Sequence, residues 1–407
     1  MRTTCAYAAF FLLILATALA GDSTPPRRDP LVVGIDCNYV LQMESAGAKW
    51  ASASAEAAAP TASGPGTSAG AFASSPDPFH TFAALGATSI RIRLWVGEEG
   101  VNRMAYALET AKRARAAGLK PCLVLFLSEE WADMVKQPAP AAWRSLDPAA
   151  KAAAIEAYAE AAVRRFAAEG IDVELVEIGN EIDFGICGVF EEEWKHRVNL
   201  DYMRDHIWSA MAPLIAAAQR GVLRARPGAR FILHLAQWNS PDYCAAFWRY
   251  MAAAGVRVDF PGLSYFPTSA ADPTHRTLAH LHAQIAAMRR AGIDKPFIIS
   301  EFAYPAIAEF TGQFADWNKP AEGYPLTEAG QAAWLRDFLD WARTGAAPGV
   351  KQPASPSPIA ACYYWSPEWY TEPMWHAFAL FGPKGELRPA AASLQGKGEA
   401  SKNVKDR

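Results

Sequence analysis

The chain has 407 residues, 51% of them apolar and only 20% charged, with a formal net charge of −3 at pH 7. That supplies a full core, and a single α/β barrel can run to this size, so two domains are not required. The near-neutral balance carries no basic footprint, which excludes nucleic acid and anionic membrane surfaces as expected partners.

The N-terminus has the pattern of an export signal. Arg2 precedes an apolar run from Ala8 to Ala20 that includes Phe10, Phe11, Leu12, Leu13, Ile14 and Leu15, and Ala18-Leu19-Ala20 before Gly21 is a small-residue cleavage site. The run falls short of the about 20 residues that a membrane span needs. Residues 1–20 are therefore expected to be removed and the protein to be secreted or periplasmic. Residues 21–395 are expected to form one catalytic domain, and the polar stretch 396–407 a flexible tail. Between about 49 and 75 the sequence is nearly all Ala, Ser, Gly, Pro and Thr. It buries too little apolar surface to offset its ordering entropy and is expected to be a low-complexity insertion.

Runs rich in β-branched and aliphatic residues follow at Leu31–Asp36, Ser89–Val96, Pro121–Leu127, Val173–Ile178, Phe231–Leu235, Gly262–Tyr265, Phe297–Ser300 and Ile359–Trp365. Helical stretches such as Val101–Ala117, Pro148–Ala168 and Leu278–Ala291 separate them. Eight strands alternating with helices predict an α/β fold, the (β/α)8 TIM barrel. A doubly wound open sheet is disfavoured, because no glycine-rich phosphate turn follows an early strand. Beyond the signal, Cys37, Cys122, Cys187, Cys244 and Cys362 are scattered and odd in number, with neither a disulfide framework nor zinc spacing, although Cys187 and Cys244 remain a possible pair. No acidic run has calcium-loop spacing, so no metal and no cofactor is expected.

In such a barrel the active site lies at the C-terminal strand ends. Those ends present Asp36, Arg93 with Trp95, Ser128, Asn180-Glu181, His234, Tyr265, Glu301 and Trp365. Glu181 and Glu301 each follow an apolar strand, the fourth and the seventh, on opposite sides of one mouth. Cleaving a glycosidic bond needs such a pair, one carboxyl protonated to serve the leaving oxygen and one ionised to attack the anomeric carbon. Close carboxylates disfavour a second charge, so the acid keeps its proton near neutral pH. Arg91 and Arg93 share one face of the second strand, and both are expected to point into the barrel. Arg93 is expected to hold Glu301 ionised.

Along the chain stand Gly34-Ile35-Asp36, Arg91-x-Arg93-x-Trp95 and Gly179-Asn180-Glu181-Ile182, followed by His234-Leu235, Leu263-Ser264-Tyr265, Glu301 with Tyr304-Pro305, and Tyr364-Trp365-x-Pro367. Most specific is Trp131-Ala132-Asp133-x-x-Lys136-Gln137-x-x-Pro140-x-Ala142-Trp143. In this ordered series the chain resembles glycoside hydrolase family 53, the arabinogalactan endo-β-1,4-galactanases of clan A. The resemblance spans about residues 32 to 390. It implies a retaining, endo-acting hydrolase of β-1,4-galactosidic bonds with Glu181 as acid/base and Glu301 as nucleophile. Asn180 would bind the sugar 2-hydroxyl, Tyr265 would orient Glu301, Trp365 would floor the sugar beside the scissile bond, and Arg93 and His234 would line the site with Asp36. For His234 a buried, internally satisfied histidine is the alternative, and for Tyr265 and Trp365 a place in the aromatic core.

Several positions depart from the family pattern. Val124 and Phe126 stand where it has Asp and His, Ala236 where it has Asp, Cys187-Gly188-Val189 where it has Leu-Trp-Pro, and Thr268 and Ser269 where it has aromatics. Trp194, Trp238 and the cluster Trp369, Tyr370, Trp375 are candidate replacement platforms. A polysaccharide or oligosaccharide is the expected partner, and a monomer the expected state. Two alternatives stay open: a retaining β-glycosidase of the same clan with another glycan, and a non-catalytic carbohydrate-binding barrel.

Overall fold

In the computed structural model, residues 30–50, 77–346 and 357–395 are described. The expected signal, the tail and all but the first two residues of the expected insertion lie outside them. Lys49 and Trp50, expected within the insertion, instead belong to the folded body. Trp50 is buried edge-on to Tyr370, and the Lys49 carbonyl accepts from the Tyr370 hydroxyl at 2.7 Å.

Strands β1 (Val32–Asp36), β2 (Ser89–Leu94), β3 (Lys120–Leu125), β4 (Leu175–Ile178), β5 (Arg230–Leu235), β6 (Phe260–Tyr265), β7 (Phe297–Phe302) and β8 (Ile359–Trp365) run parallel. Each pairs with its neighbours in sequence, and β8 returns to β1 to close the barrel. The outward residues, among them Ile90, Ile92, Leu263 and Tyr364, pack under the helices. This two-sided burial is why the strands read as nearly continuous apolar runs. The expected helix Pro148–Ala168 forms with those bounds: Asp147 caps it by accepting from Ala150 N at 2.9 Å, and Pro148 takes the first helical position. No helix among the described residues is long and apolar enough to cross a membrane.

Inside, the barrel is layered. Cys122, Ile232, Phe260, Ile298, Ala361 and Tyr363 fill its base. Tyr363 lies so close to Gly34 that a Cβ there would sit 2.4 Å from its ring, so only glycine fits. Above that plug come Arg91, Glu177 and His234, all fully buried. The interior changes from apolar to ionic within one turn of side chains, and the ionic layer supports the mouth. All five cysteines beyond the expected signal are free and buried; Cys187 and Cys244 do not pair.

Candidate active site

Strand alternation aims most of the site. On β2, Arg91 and Arg93 both turn inward. Arg91 Nη1 donates to Asp36 Oδ2 and to Glu301 Oε1, the latter at 2.6 Å, and its Nη2 reaches Glu177 and, at 2.7 Å, Asn180 Oδ1. The guanidinium thus gathers groups from β1, β4, β7 and the turn after β4. Arg93 performs the role expected of it only at a distance: its charge lowers Glu301 less than Arg91 and His234 do, and it makes no contact with that carboxyl. It pairs with the other oxygen of Asp36, donates to the Tyr39 hydroxyl at 2.9 Å, and lies 5.0–5.2 Å from the rings of Tyr39, Trp131 and Trp365. Its work is to seat aromatic rings, and Arg91 is the counter-charge that touches Glu301.

Glu301 owes its orientation to an irregularity. Ile298 faces the barrel interior, so strict alternation would send Glu301 outward into the helix layer. A β-bulge shifts the register between Leu263/Ser264 and Ile299/Glu301, and restores inward aim at Glu301 while Phe302 packs outward on Phe338. Glu181 is aimed by another device. The chain turns through Gly179 at φ 76° and holds Glu181 itself at φ 45°, a left-handed conformation that costs a non-glycine residue on the order of 1 kcal/mol or more. Gln137 Nε2 donates to the carbonyls of Asn180 at 2.8 Å and Glu181 at 3.3 Å and fixes that turn.

The two candidate carboxyls sit in unlike surroundings. Glu181 touches no cation; its Oε1 accepts from Ser264 Oγ at 2.5 Å. Burial and then the charge of Glu301 push it up to about 8. Burial also raises Glu301, but Arg91 and then His234 pull against it. For Glu177 burial acts upward too, yet Arg91 and His234 overcome it and hold the carboxyl down at about 2. His234 is fully buried with both ring nitrogens engaged, Nδ1 with Glu177 at 3.0 Å and Nε2 with Ser264 Oγ at 2.8 Å. Burial disfavours its charge, but Glu177 more than offsets this and raises its pKa.

The structure thus brings Asp36, Arg93, Asn180, Glu181, His234, Glu301 and Trp365 to one end of the barrel. Trp365, largely buried, meets Trp375 and Trp131 edge-on and carries Arg93 over its ring. Tyr265 is elsewhere: it follows inward Ser264, so it points out, stacks with Trp334 and Phe338, and donates to the Thr277 carbonyl. It orients nothing in the mouth. Ser264 and Glu177 were missed as site members, and alternation along β6 was the signal for Ser264. Asp183 was missed as well. Its buried carboxylate accepts from the backbone of Ala236 and Gln237 at 2.8 and 2.9 Å, so a carboxylate from the β4 loop serves the segment where Ala236 replaces an acid.

The altered positions on β3 form a dry patch. Val124, Phe126 and Ala132 cluster in the barrel top, with Trp95 and Trp131 against them. Among the candidate platforms, Trp238, Tyr370 and Trp375 are buried, Trp369 has one face stacked on Tyr39 at 3.9 Å, and Trp194 is 59% exposed.

The description of glycosyl hydrolase family 53 matches residues 32–404. The chain belongs to glycosyl hydrolase family 53. This family 53 glycoside hydrolase is 26% identical over 307 residues to the endo-beta-1,4-galactanase of Bacillus subtilis, an alignment that covers 72% of this chain and 64% of the relative. It is 28% identical to the probable arabinogalactan endo-beta-1,4-galactanase A of Aspergillus tubingensis, over 70% of this chain and 75% of that one. In fold it superposes on a fungal beta-1,4-galactanase structure with a TM-score of 0.70 at 22% identity, covering 90% of this chain and 99% of the other.

Proposed function

We propose that this family 53 chain is a secreted, retaining, endo-acting hydrolase of β-1,4-galactosidic bonds in arabinogalactan or pectic galactan. The observation that carries this is the contrast between two carboxyls at one mouth: Glu301 touches a guanidinium, and Glu181 touches only a neutral hydroxyl. A proton shared between them stays on the group without a cation. Glu301 then attacks the anomeric carbon as the bond to the leaving oxygen breaks, and Glu181 gives that oxygen its proton. In the second half Glu181 takes a proton from water, which displaces Glu301 and returns the original anomer. Asn180, held at Oδ1 by Arg91 and at Nδ2 by the Ala132 carbonyl, sits beside Glu181, and by the family resemblance it contacts the sugar 2-hydroxyl. The galactanase names of the relatives support the substrate, and the N-terminal apolar run with its cleavage site supports export.

The dry patch at Val124, Phe126 and Ala132 favours a second reading, in which the same chemistry serves another β-linked glycan. Incubation with purified β-1,4-galactan and with a panel of β-linked polysaccharides, followed by proton NMR, tests both. Oligosaccharides of mixed length from galactan with the β-anomer appearing first support the proposal. An α-anomer first, or no cleavage of any glycan, refutes the retaining hydrolase.

A further inference from the structure

Beneath Glu181 runs a chain of hydrogen bonds through three buried side chains from three strands. Glu177 of β4 meets His234 Nδ1 at 3.0 Å, His234 Nε2 meets Ser264 Oγ at 2.8 Å, and Ser264 Oγ meets Glu181 Oε1 at 2.5 Å. Glu177, His234 and Ser264 are between 0% and 3% exposed, so water does not compete for these bonds. Only Glu181, at the far end, is partly open.

A hydroxyl has one hydrogen, so the direction of such a chain is decided at its anchored end. The charged groups around His234 are Glu177, Arg91 at 3.4 Å from Nδ1, and the carboxyls of Glu301, Glu181 and Asp183. Arg91 opposes charge on the ring, but it is shared among Asp36, Glu177 and Glu301. An imidazolium there donates from both nitrogens, from Nδ1 to Glu177 and from Nε2 to Ser264. Ser264 Oγ then accepts from the ring and has its own hydrogen left for Glu181 Oε1. With that oxygen occupied as an acceptor, a proton on Glu181 must sit on Oε2. A neutral ring protonated only at Nδ1 would instead accept from Ser264. Ser264 could then accept from Glu181, and the acid's proton would be drawn to Oε1, turned away from any substrate.

We propose that Glu177, through His234 and Ser264, polarises this chain so that the transferable proton of Glu181 is held on Oε2, the oxygen that Ser264 does not touch. Glu177, His234 and Ser264 are positioning residues; no proton travels along them, and the proton that leaves is the one on Glu181. The inference rests on Glu181 being the acid/base.

The experiment compares the wild type with Glu177→Gln, Ser264→Ala and Glu181→Ala on dinitrophenyl and phenyl β-1,4-galactobiosides. It reads kcat/KM, which reports the glycosylation step alone. The phenyl leaving group needs the proton and the dinitrophenyl group does not. The expected result is that the phenyl-to-dinitrophenyl ratio falls by about tenfold in Glu177→Gln and Ser264→Ala, a fraction of the about 100-fold or greater effect of removing general acid catalysis in Glu181→Ala. Nitrogen-15 NMR of the imidazole supplies a second readout, expected to show His234 with hydrogens on both nitrogens in the wild type and on one in Glu177→Gln. If Glu181→Ala lowers the ratio and the other two leave it unchanged, the polarised chain is refuted and the acid/base assignment stands. If Glu181→Ala itself leaves the ratio unchanged, the assignment fails and the inference with it. Where Glu177→Gln does not fold, the ratio in Ser264→Ala decides.

Discussion

Arg91 holds Glu301 at 2.6 Å with the same guanidinium nitrogen that binds Asp36, while its other terminal nitrogen binds Glu177 and Asn180. One cation therefore answers to three fully or almost fully buried carboxyls, only one of which, Asp36, has a second arginine. Removing it strands charge where water cannot reach. Arg91→Met is expected to destabilise the protein by about 3–5 kcal/mol, the usual cost of breaking a buried pair from one side. It also removes the largest influence lowering Glu301, so the acid limb of kcat/KM should move to higher pH. Urea denaturation with a pH–rate profile measures both; a loss below about 1 kcal/mol would show that the ionic layer is replaceable.

On the proposed roles, the acid limb of kcat/KM belongs to Glu301 and the alkaline limb to Glu181. Because Glu181 is held up at about 8, kcat/KM should stay high through neutral pH and fall as pH rises through that value. Glu181→Gln should lack the alkaline limb along with most of the activity on poor leaving groups. A profile falling already near pH 5 would show that Glu181 is not protonated in the working enzyme.

The same shifts bear on stability. Burial holds Asp183 at about 6, Glu368 at about 7 and Glu181 at about 8, all above the ordinary carboxyl range. A group whose pKa is raised on folding contributes stability that is fully present below its unfolded value, about 4, and lost as pH rises through its folded value. Glu177, depressed to about 2, runs the other way: its contribution is present above about 4 and is lost as pH falls through 2. The unfolding midpoint should therefore peak in mild acid and decline steadily between pH 5 and pH 9. Differential scanning fluorimetry across that range checks the sign, and a midpoint rising toward pH 9 would contradict it.

The two carboxyls should part company under chemical rescue. Glu181→Ala should still form the glycosyl-enzyme from a dinitrophenyl glycoside, and azide should release it as the β-glycosyl azide without help from a general base. Glu301→Ala should be inactive on every natural substrate and should give no β-azide. If the retained azide instead appears with Glu301→Ala, the assignments are reversed.

Much of this site was legible because strand ends and alternation are local. Apolar runs ending in Asp36, Asn180-Glu181, Glu301 and Trp365 mark the rim without any knowledge of neighbours. Alternation along β6 also shows that Ser264 and Tyr265 point opposite ways; the larger aromatic drew attention, and the small hydroxyl beside it makes the contact with Glu181. Arg91 and Arg93 share a face, so only the tilt and stagger of the closed barrel decide which one is level with β7. The bulge that turns Glu301 inward depends on pairing with both β6 and β8, and pairing of that kind is not written in the seven residues around it. Glu177 is hidden for a related reason: its cation and its histidine arrive from β2 and β5, about 60 to 90 residues away in sequence.

Substrate preference is the sharpest question, because the altered residues leave the carboxyl pair untouched and change what surrounds it. Val124 and Phe126 replace polar groups with a dry cluster that backs Trp95 and Trp131, and Thr268 is buried where an aromatic is expected. Each lost polar partner or stacking surface removes on the order of 1–3 kcal/mol from recognition. Two such losses amount to about two orders of magnitude or more. Of the replacement platforms, Trp194 alone offers a broadly open ring, and it is carried by the short helix Trp194–Arg197 in the β4 loop rather than by the barrel mouth itself. Compensation from there would be felt by long chains and not by short ones. On the second reading, in which another glycan is the substrate, kcat/KM on unbranched β-1,4-galactan falls below about 10⁴ M⁻¹s⁻¹, the lower end of the usual enzyme range, with a higher value on some other β-linked or decorated glycan; on the galactan reading it lies above that limit. Trp194→Ala should lower the efficiency on polymer several-fold and leave short aryl glycosides little affected. Kinetics on purified galactan decide the matter: a value well above that limit would mean that the dry patch lies outside the path of the sugar chain.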